Sequence, residues 1–226
     1  MASDKHPTAL NEQVEPRLLQ IRLETVSFAP SILQRLYQGV KRLFDFGFSA
    51  FFLVLLAFPL CIIALLIKLD SPGPVIFRQD RMGQKGKPFT IFKFRTMKTT
   101  APSAVATAQM TGAQNHITKV GSFLRRTSLD ELPQLINILR GDMSLIGYRP
   151  LIPSEAEIHQ FRLDNQIYFL KPGLTGWSQI NGRDDLSLTH KMLLDREYLH
   201  QFGFLTDLKI FFKTIAVVFK RDGVAF

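Results

Sequence analysis

Hydrophobic positions in this chain change their spacing from region to region. From Ser31, apolar residues at Leu33, Leu36, Tyr37, Val40, Leu43 and Phe44 recur at helical intervals with Lys41-Arg42 beside them. That pattern predicts an amphipathic helix along a membrane surface. From Phe46 to Ile67 the stripe widens to the whole circumference, and 22 consecutive residues carry no charge. At ~1.5 Å per residue such a run is long enough for a hydrocarbon core of ~30 Å. Its length and its apolar residues on every face set it apart from an ordinary buried core helix. Beyond Ser71 the pattern shortens into strand-like and helical pieces separated by turns.

Pro59 interrupts the uncharged run, where it removes a helical hydrogen bond and obstructs the preceding turn. Phe46 to Phe58 alone would reach only about 20 Å. Basic residues flank both sides: Arg35, Lys41 and Arg42 before it, and Lys68, Arg78, Arg81, Lys85 and Lys87 after it. The positive-inside tendency favours both ends on the cytoplasmic side, a re-entrant helix-break-helix with its break at Pro59. A through-crossing helix with the same cytoplasmic body is the alternative. The domain reading is a polar extension over 1–30, an interfacial plus re-entrant segment over 31–70, and a cytoplasmic domain over 71–226.

Within that last region, Ser71-Pro72-Gly73-Pro74 is a turn. Val75–Gln79 and Phe89–Met97 then read as a β-hairpin joined through Gly83 and Gly86. The two-residue period puts Lys93 and Arg95 on one strand face, either as solvated charges or as a pair able to reach one anion. Thr99 to Asn115 has the composition of a surface loop or weak helix. Glu155 to Phe169 has mixed helical spacing. At the C-terminal end Phe204, Leu208, Phe211, Phe212, Ile215, Val218 and Phe219 form one face edged by Lys209, Lys213 and Lys220, an interfacial helix. The fold class is a small mixed α/β (α+β) domain with amphipathic helices.

The densest chemistry lies between Arg125 and Pro150. Pro133 fits only the first turn of a helix, so a helix is expected to begin near Leu132 and end before Gly141, with Asp130-Glu131 at its positive end. Ser128-x-x-Glu131 is also a capping box, a purely structural reading. The functional reading is an anion site bearing Arg125, Arg126 and two carboxylates able to hold Mg²⁺. A second block, Lys171-Pro-Gly-Leu-Thr-Gly-Trp177-Ser-Gln-Ile-Asn-Gly-Arg183, is rich in glycines that permit close backbone approach to a ligand. Trp177 could equally be a core plug.

A balance of 28 Lys+Arg over 19 Asp+Glu in 226 residues points to an anionic partner. The single cysteine, Cys61, excludes an internal disulfide. Five scattered histidines lack zinc-ligand spacing.

These motifs resemble the bacterial sugar transferases, the monotopic phosphoglycosyl transferases, with similarity from about Lys41 to Val224. The resemblance implies transfer of a hexose 1-phosphate from a nucleoside diphosphate sugar, a UDP-sugar, to undecaprenyl phosphate with release of UMP. Asp130 is then the nucleophile and forms an aspartyl phosphosugar, with Glu131 beside it as a metal ligand. Lys93, Arg95, Arg125, Arg149 and Arg183 are phosphate-binding groups, and Asp195 is a supporting acid. Two positions depart from the family pattern: Phe58 precedes Pro59 where serine is common, and Tyr148 stands where most members have proline. The rival class is a non-enzymatic, membrane-anchored basic protein that binds acidic lipid or nucleic acid. Nucleic acid is disfavoured because neither a stacking motif nor a groove helix accompanies the basic residues. The sugar and pathway are not encoded in these motifs, and a homodimer is left open.

Overall fold

The computed structural model describes residues 27–101, 112–182 and 186–220. Helix α1 spans Ile32–Leu55 and α2 spans Ala57–Asp70. Ser31 opens α1 with a capping box closed by Gln34. The predicted interfacial helix and the first half of the uncharged run are therefore one continuous rod.

The two helices are bent by 64°, and the break falls at Leu56, three residues before the position expected from the sequence. The reason is local. Pro59 obstructs the carbonyl four residues earlier, that of Leu55, so the upstream helix must stop there while Pro59 itself is tolerated in the first turn of α2. No single described helix is long and apolar enough to cross a membrane; only the bent pair passes that test together.

Strands β1 (Ile76–Met82) and β2 (Pro88–Phe94) form the antiparallel hairpin, with Ile76 opposite Phe94 and Met82 opposite Pro88. Its connection turns through Lys85 and Gly86, at φ 60° and 66°. Helix α3 (Lys119–Thr127) follows, capped by Thr118 accepting from the Gly121 N–H. A single 3₁₀ turn, Leu129–Glu131, leads into α4 (Gln134–Arg140). Strand β3 (Ser144–Ile146) pairs in parallel with β4 (Gly173–Thr175), and between them lies α5 (Ala156–Asp164). The chain closes with α6 (Trp177–Ile180), α7 (Leu188–Gln201) and α8 (Phe204–Lys220).

The main core gathers Ile138 of α4, Met143, Ile158 of α5, Ile167, Leu199 of α7 and Ile210 of α8, each fully buried. A smaller cluster of Ile67, Phe94 and Leu124 ties α2 to the hairpin and α3. Phe28, at the end of the predicted polar extension, packs on Phe169 at 5.6 Å. Residues 1–26 lie outside the described residues.

Polar anchors fasten α1 to the body. Lys41 and Tyr37 both donate to Asp207 of α8, at 2.6 and 2.8 Å. Arg42 donates to the carbonyls of Ile138 and Leu139 at the end of α4, where helical carbonyls lack partners of their own. Asp45 accepts from the Leu145 N–H of β3 at 3.0 Å. The outward faces are apolar and exposed: Leu33, Leu43 and Val54 on α1, Phe58 and Leu69 on α2, and Leu205 on α8 are each more than 70% exposed. The side chains of Val218, Phe219 and Lys220 lie outside the described residues.

Candidate active site

Asn137 fixes the geometry from which the site is built. Fully buried on α4, it accepts from the Phe92 N–H at 3.0 Å and donates to the Thr90 carbonyl at 2.8 Å. It thus occupies the free edge of β2 much as another strand would. The register between helix and strand is set, and Lys93 meets Glu131 with Nζ to Oε1 at 2.6 Å.

Asp130 and Glu131 stand on the 3₁₀ turn wedged between α3 and α4. Ser128 ends α3 at φ 56°, in the left-handed region, at a cost of about 1 kcal/mol for a residue with a side chain. An N-cap requires extended backbone, so the capping-box reading fails: Ser128 makes no side-chain cap to this turn. Pro133 is the N-cap residue of α4. The expected helix is present, and the acids precede it on a turn of their own.

Burial lifts the Asp130 carboxyl from its ordinary value to about 6. Lys93 pulls it back down, the Glu131 charge pushes it further up, and Arg125 opposes the rise. Arg125 is aimed by its Nε donating to Thr96 Oγ1 at 2.9 Å. Beside this turn opens a cleft whose lining includes Arg81, Lys93, Glu131, Gln134, Arg149 and Gln179.

Two backbone segments hold Arg149 at the cleft. The Gly147 N–H donates to the Thr175 carbonyl and the Gly173 N–H to the Tyr148 carbonyl, both at 2.9 Å. A side chain at Gly147, Gly173 or Gly176 would collide with the facing backbone, so these glycines are required by close approach. Behind the loop Arg162 donates to the Arg149 carbonyl at 3.0 Å and to Asp195 at 2.6 Å, and stacks on the Tyr148 ring at 4.6 Å. Tyr148 is itself buried, filling the core beneath the loop.

The structure thus brings Lys93, Glu131 and Arg149 to one cleft with Asp130 and Arg125 adjoining, and relocates two other residues. Arg95 is not on the Lys93 face. β2 ends at Phe94, the alternation stops, and the buried Arg95 guanidinium turns to Ser71 and the Ile67 carbonyl at the end of α2. A cation there meets the negative end of the helix. Asp195 is 2% exposed and bound to Arg162; it supports the Arg149 loop from behind and does not line the cleft. Arg183 lies outside the described residues.

The structural reading of the second block holds, and its Gly173 and Gly176 approach the backbone of Gly147. Trp177 is a core plug, its Nε1 donating to Glu197 at 2.9 Å, while Gly173, Leu174 and Gln179 line the cleft. Sequence reasoning did not single out Arg81, Gln134, Asn137, Arg162 or Gln179. Gln134 and Gln179 lay inside the motif blocks and signalled only by that proximity. Arg162 sat in a helix without a motif.

Among the described residues no three His, Cys, Asp or Glu side chains gather as a metal cage. Two adjacent carboxylates, one raised by burial and by its neighbour, nonetheless suit Mg²⁺, which is commonly held by one or two carboxylates with substrate phosphates completing its shell.

Residues 36–221 match the family described as bacterial sugar transferase. Over 211 residues the chain is 42% identical to the UDP-glucose:undecaprenyl-phosphate glucose-1-phosphate transferase of Escherichia coli (strain K12), covering 88% of this chain and 45% of that protein. It is 37% identical over 209 residues to the undecaprenyl-phosphate galactose phosphotransferase of Salmonella typhimurium, covering 85% and 43%. A sugar transferase of Bacillus subtilis (strain 168) is 38% identical over 185 residues, covering 82% of this chain and 90% of the relative. The chain thus spans less than half the length of the first two and nearly all of the third. With the match running through both motif blocks and the helices that carry them, the chain belongs to the bacterial sugar transferase family.

Proposed function

We propose that this protein transfers a hexose 1-phosphate from a UDP-sugar to undecaprenyl phosphate at the cytoplasmic leaflet of the inner membrane, the initiating step of a surface polysaccharide or glycoconjugate. The observation that carries the reading is the Asp130-Glu131 turn held against Lys93 beside an arginine-lined cleft.

In the first displacement an Asp130 oxygen attacks the sugar-bearing phosphorus. The new phosphorus–oxygen bond forms as the bond to UMP breaks, and the electron pair leaves with UMP. In the second, an oxygen of the polyprenol phosphate attacks the same phosphorus and returns the Asp130 carboxylate. An anionic nucleophile approaching an anionic diphosphate needs local compensation, which Lys93, Arg125 and Arg149 supply as fixed donors. Mg²⁺ held by Glu131 and Asp130 would add Lewis-acid neutralisation of the diphosphate. Burial of Asp130 strips water from the nucleophile before substrate arrives.

The exposed apolar faces of α1, α2 and α8 support placement at the bilayer, since one substrate is soluble and the other is confined to a leaflet. The break at Leu56 fits a shallow re-entrant insertion with both ends on one side.

Purified protein incubated with a panel of UDP-sugars, undecaprenyl phosphate and Mg²⁺ is expected to release UMP. Absence of UMP with every sugar, together with salt-sensitive retention on acidic vesicles or oligonucleotides, would favour a membrane-anchored binding protein instead.

A further inference from the structure

Nine buried side-chain nitrogen and oxygen atoms among the described residues have no hydrogen-bond partner. Three belong to residues lining the cleft: Nε of Arg81, Nε2 of Gln134 and Nε2 of Gln179. A buried donor left unpaired is costly, so a cluster of them marks a place where something else supplies acceptors. Gln134 is 2% exposed and Gln179 is 7% exposed. Neither amide is a solvated surface group whose missing partner is bulk water.

The unpaired atoms share one chemical character. A guanidinium nitrogen can only donate. For Gln179, the Ser178 hydroxyl donates to Oε1 at 3.3 Å, which leaves its Nε2 as the atom in need of a partner. Lys93 and Arg149 add positive charge to the same lining. The complement of this wall is a ligand rich in acceptor oxygens and negative in charge.

We propose that Gln134 and Gln179 bind the donor substrate through their amide N–H groups, which together with Arg81 Nε hold acceptor oxygens of the nucleoside diphosphate. The inference rests on the reading of the cleft as a nucleoside diphosphate sugar site and adds neutral donors to its charged ones. Neutral amides suit this task because they can contact diphosphate or uracil oxygens without raising the charge that must later release UMP.

The test uses the full chain in detergent or nanodiscs with UDP as the probe, and the near-isosteric substitutions Gln134→Met and Gln179→Met. Each is expected to weaken UDP binding about tenfold. Gln134→Met is also expected to leave the melting midpoint without nucleotide unchanged or higher, because an unpaired buried donor has been removed, whereas Gln179→Met also takes the acceptor from the Ser178 hydroxyl and should lower it only slightly. For Gln134, that pairing of weaker binding with undiminished stability is what a merely structural glutamine would not give. Separate titrations with inorganic pyrophosphate and with uridine identify the oxygens: loss of pyrophosphate binding assigns the amides to the diphosphate, and loss of uridine binding alone assigns them to the base.

Unchanged UDP affinity in both variants, or a fall in the nucleotide-free midpoint that accounts for the weaker binding, overturns the assignment. Wild-type protein that binds no UDP and releases no UMP would instead remove the reading of the cleft on which the assignment stands.

Discussion

Two half-buried or buried aspartates in this molecule are treated in opposite ways. Asp207, where α8 meets α1, accepts from Tyr198 at 2.7 Å, Tyr37 at 2.8 Å and Lys41 at 2.6 Å. Asp130, on its 3₁₀ turn, is set next to another carboxylate, and burial raises it to about 6. The first is neutralised and fully bonded, which suits a joint. The second keeps its negative charge at a cost, which suits a group that must react. The contrast is the physical support for giving Asp130, and not Asp207, the reactive part in the proposed mechanism.

The contrast is sharpest on replacing Asp130 by Asn. Under the proposed two-displacement mechanism turnover should fall about a thousandfold or more, because no carboxylate remains to form the covalent bond. Stability should move the other way. A carboxyl raised in the folded state favours folding only while protonated and loses that contribution as pH climbs through about 6. The variant should therefore match or exceed the wild-type melting midpoint at pH 7, and the gap should close below the ordinary value of 3.8. Full turnover in a folded, membrane-associated Asn variant would break the comparison.

Replacing Asp207 by Ala should do the converse. Lys41, its side chain only 11% exposed, would lose its counter-charge, at a cost of up to about 3 kcal/mol. Thermal or denaturant unfolding should report that loss, while protein that stays folded should bind UDP as before. A large change in UDP affinity with stability intact would mean that the joint reaches into the chemistry.

The smallest effect concerns acid. As pH falls below about 6, Asp130 takes up a proton, and under the proposed mechanism the attacking carboxylate is lost. Single-turnover UMP release should then decline about tenfold per pH step, with Glu131→Gln shifting the break downward because one source of the upward push is gone. A profile flat to pH 4.5 would show that substrate or Mg²⁺ holds the group ionised throughout.

Much of this arrangement was legible beforehand, and each success had a local cause. The hairpin followed from period-two spacing and the Gly83 and Gly86 turn; the α4 limits followed from Pro133 and Gly141. The failures were non-local. Arg95 obeyed the strand period only as far as the strand lasted, and its destination, Ser71 at the end of α2, lies 24 residues away in sequence. Asp195, expected as a supporting acid of the site, is instead paired behind the Arg149 loop with Arg162 from another helix. Pro59 correctly announced a break, but its steric reach acts on the turn before it, so the bend is centred on Leu56.

By itself the sequence determined the uncharged run, the family motifs and the presence of two neighbouring acids near clustered cations, because each is encoded within a few consecutive residues. Only tertiary structure decided which cations face those acids, which were consumed as helix caps and buried pairs, and which amides were left without partners. Those outcomes depend on distant segments competing for the same donors and acceptors. Asn137 shows the reason most simply: one buried amide, bonded to two residues more than 40 positions away, sets the register that turns Lys93 toward Glu131.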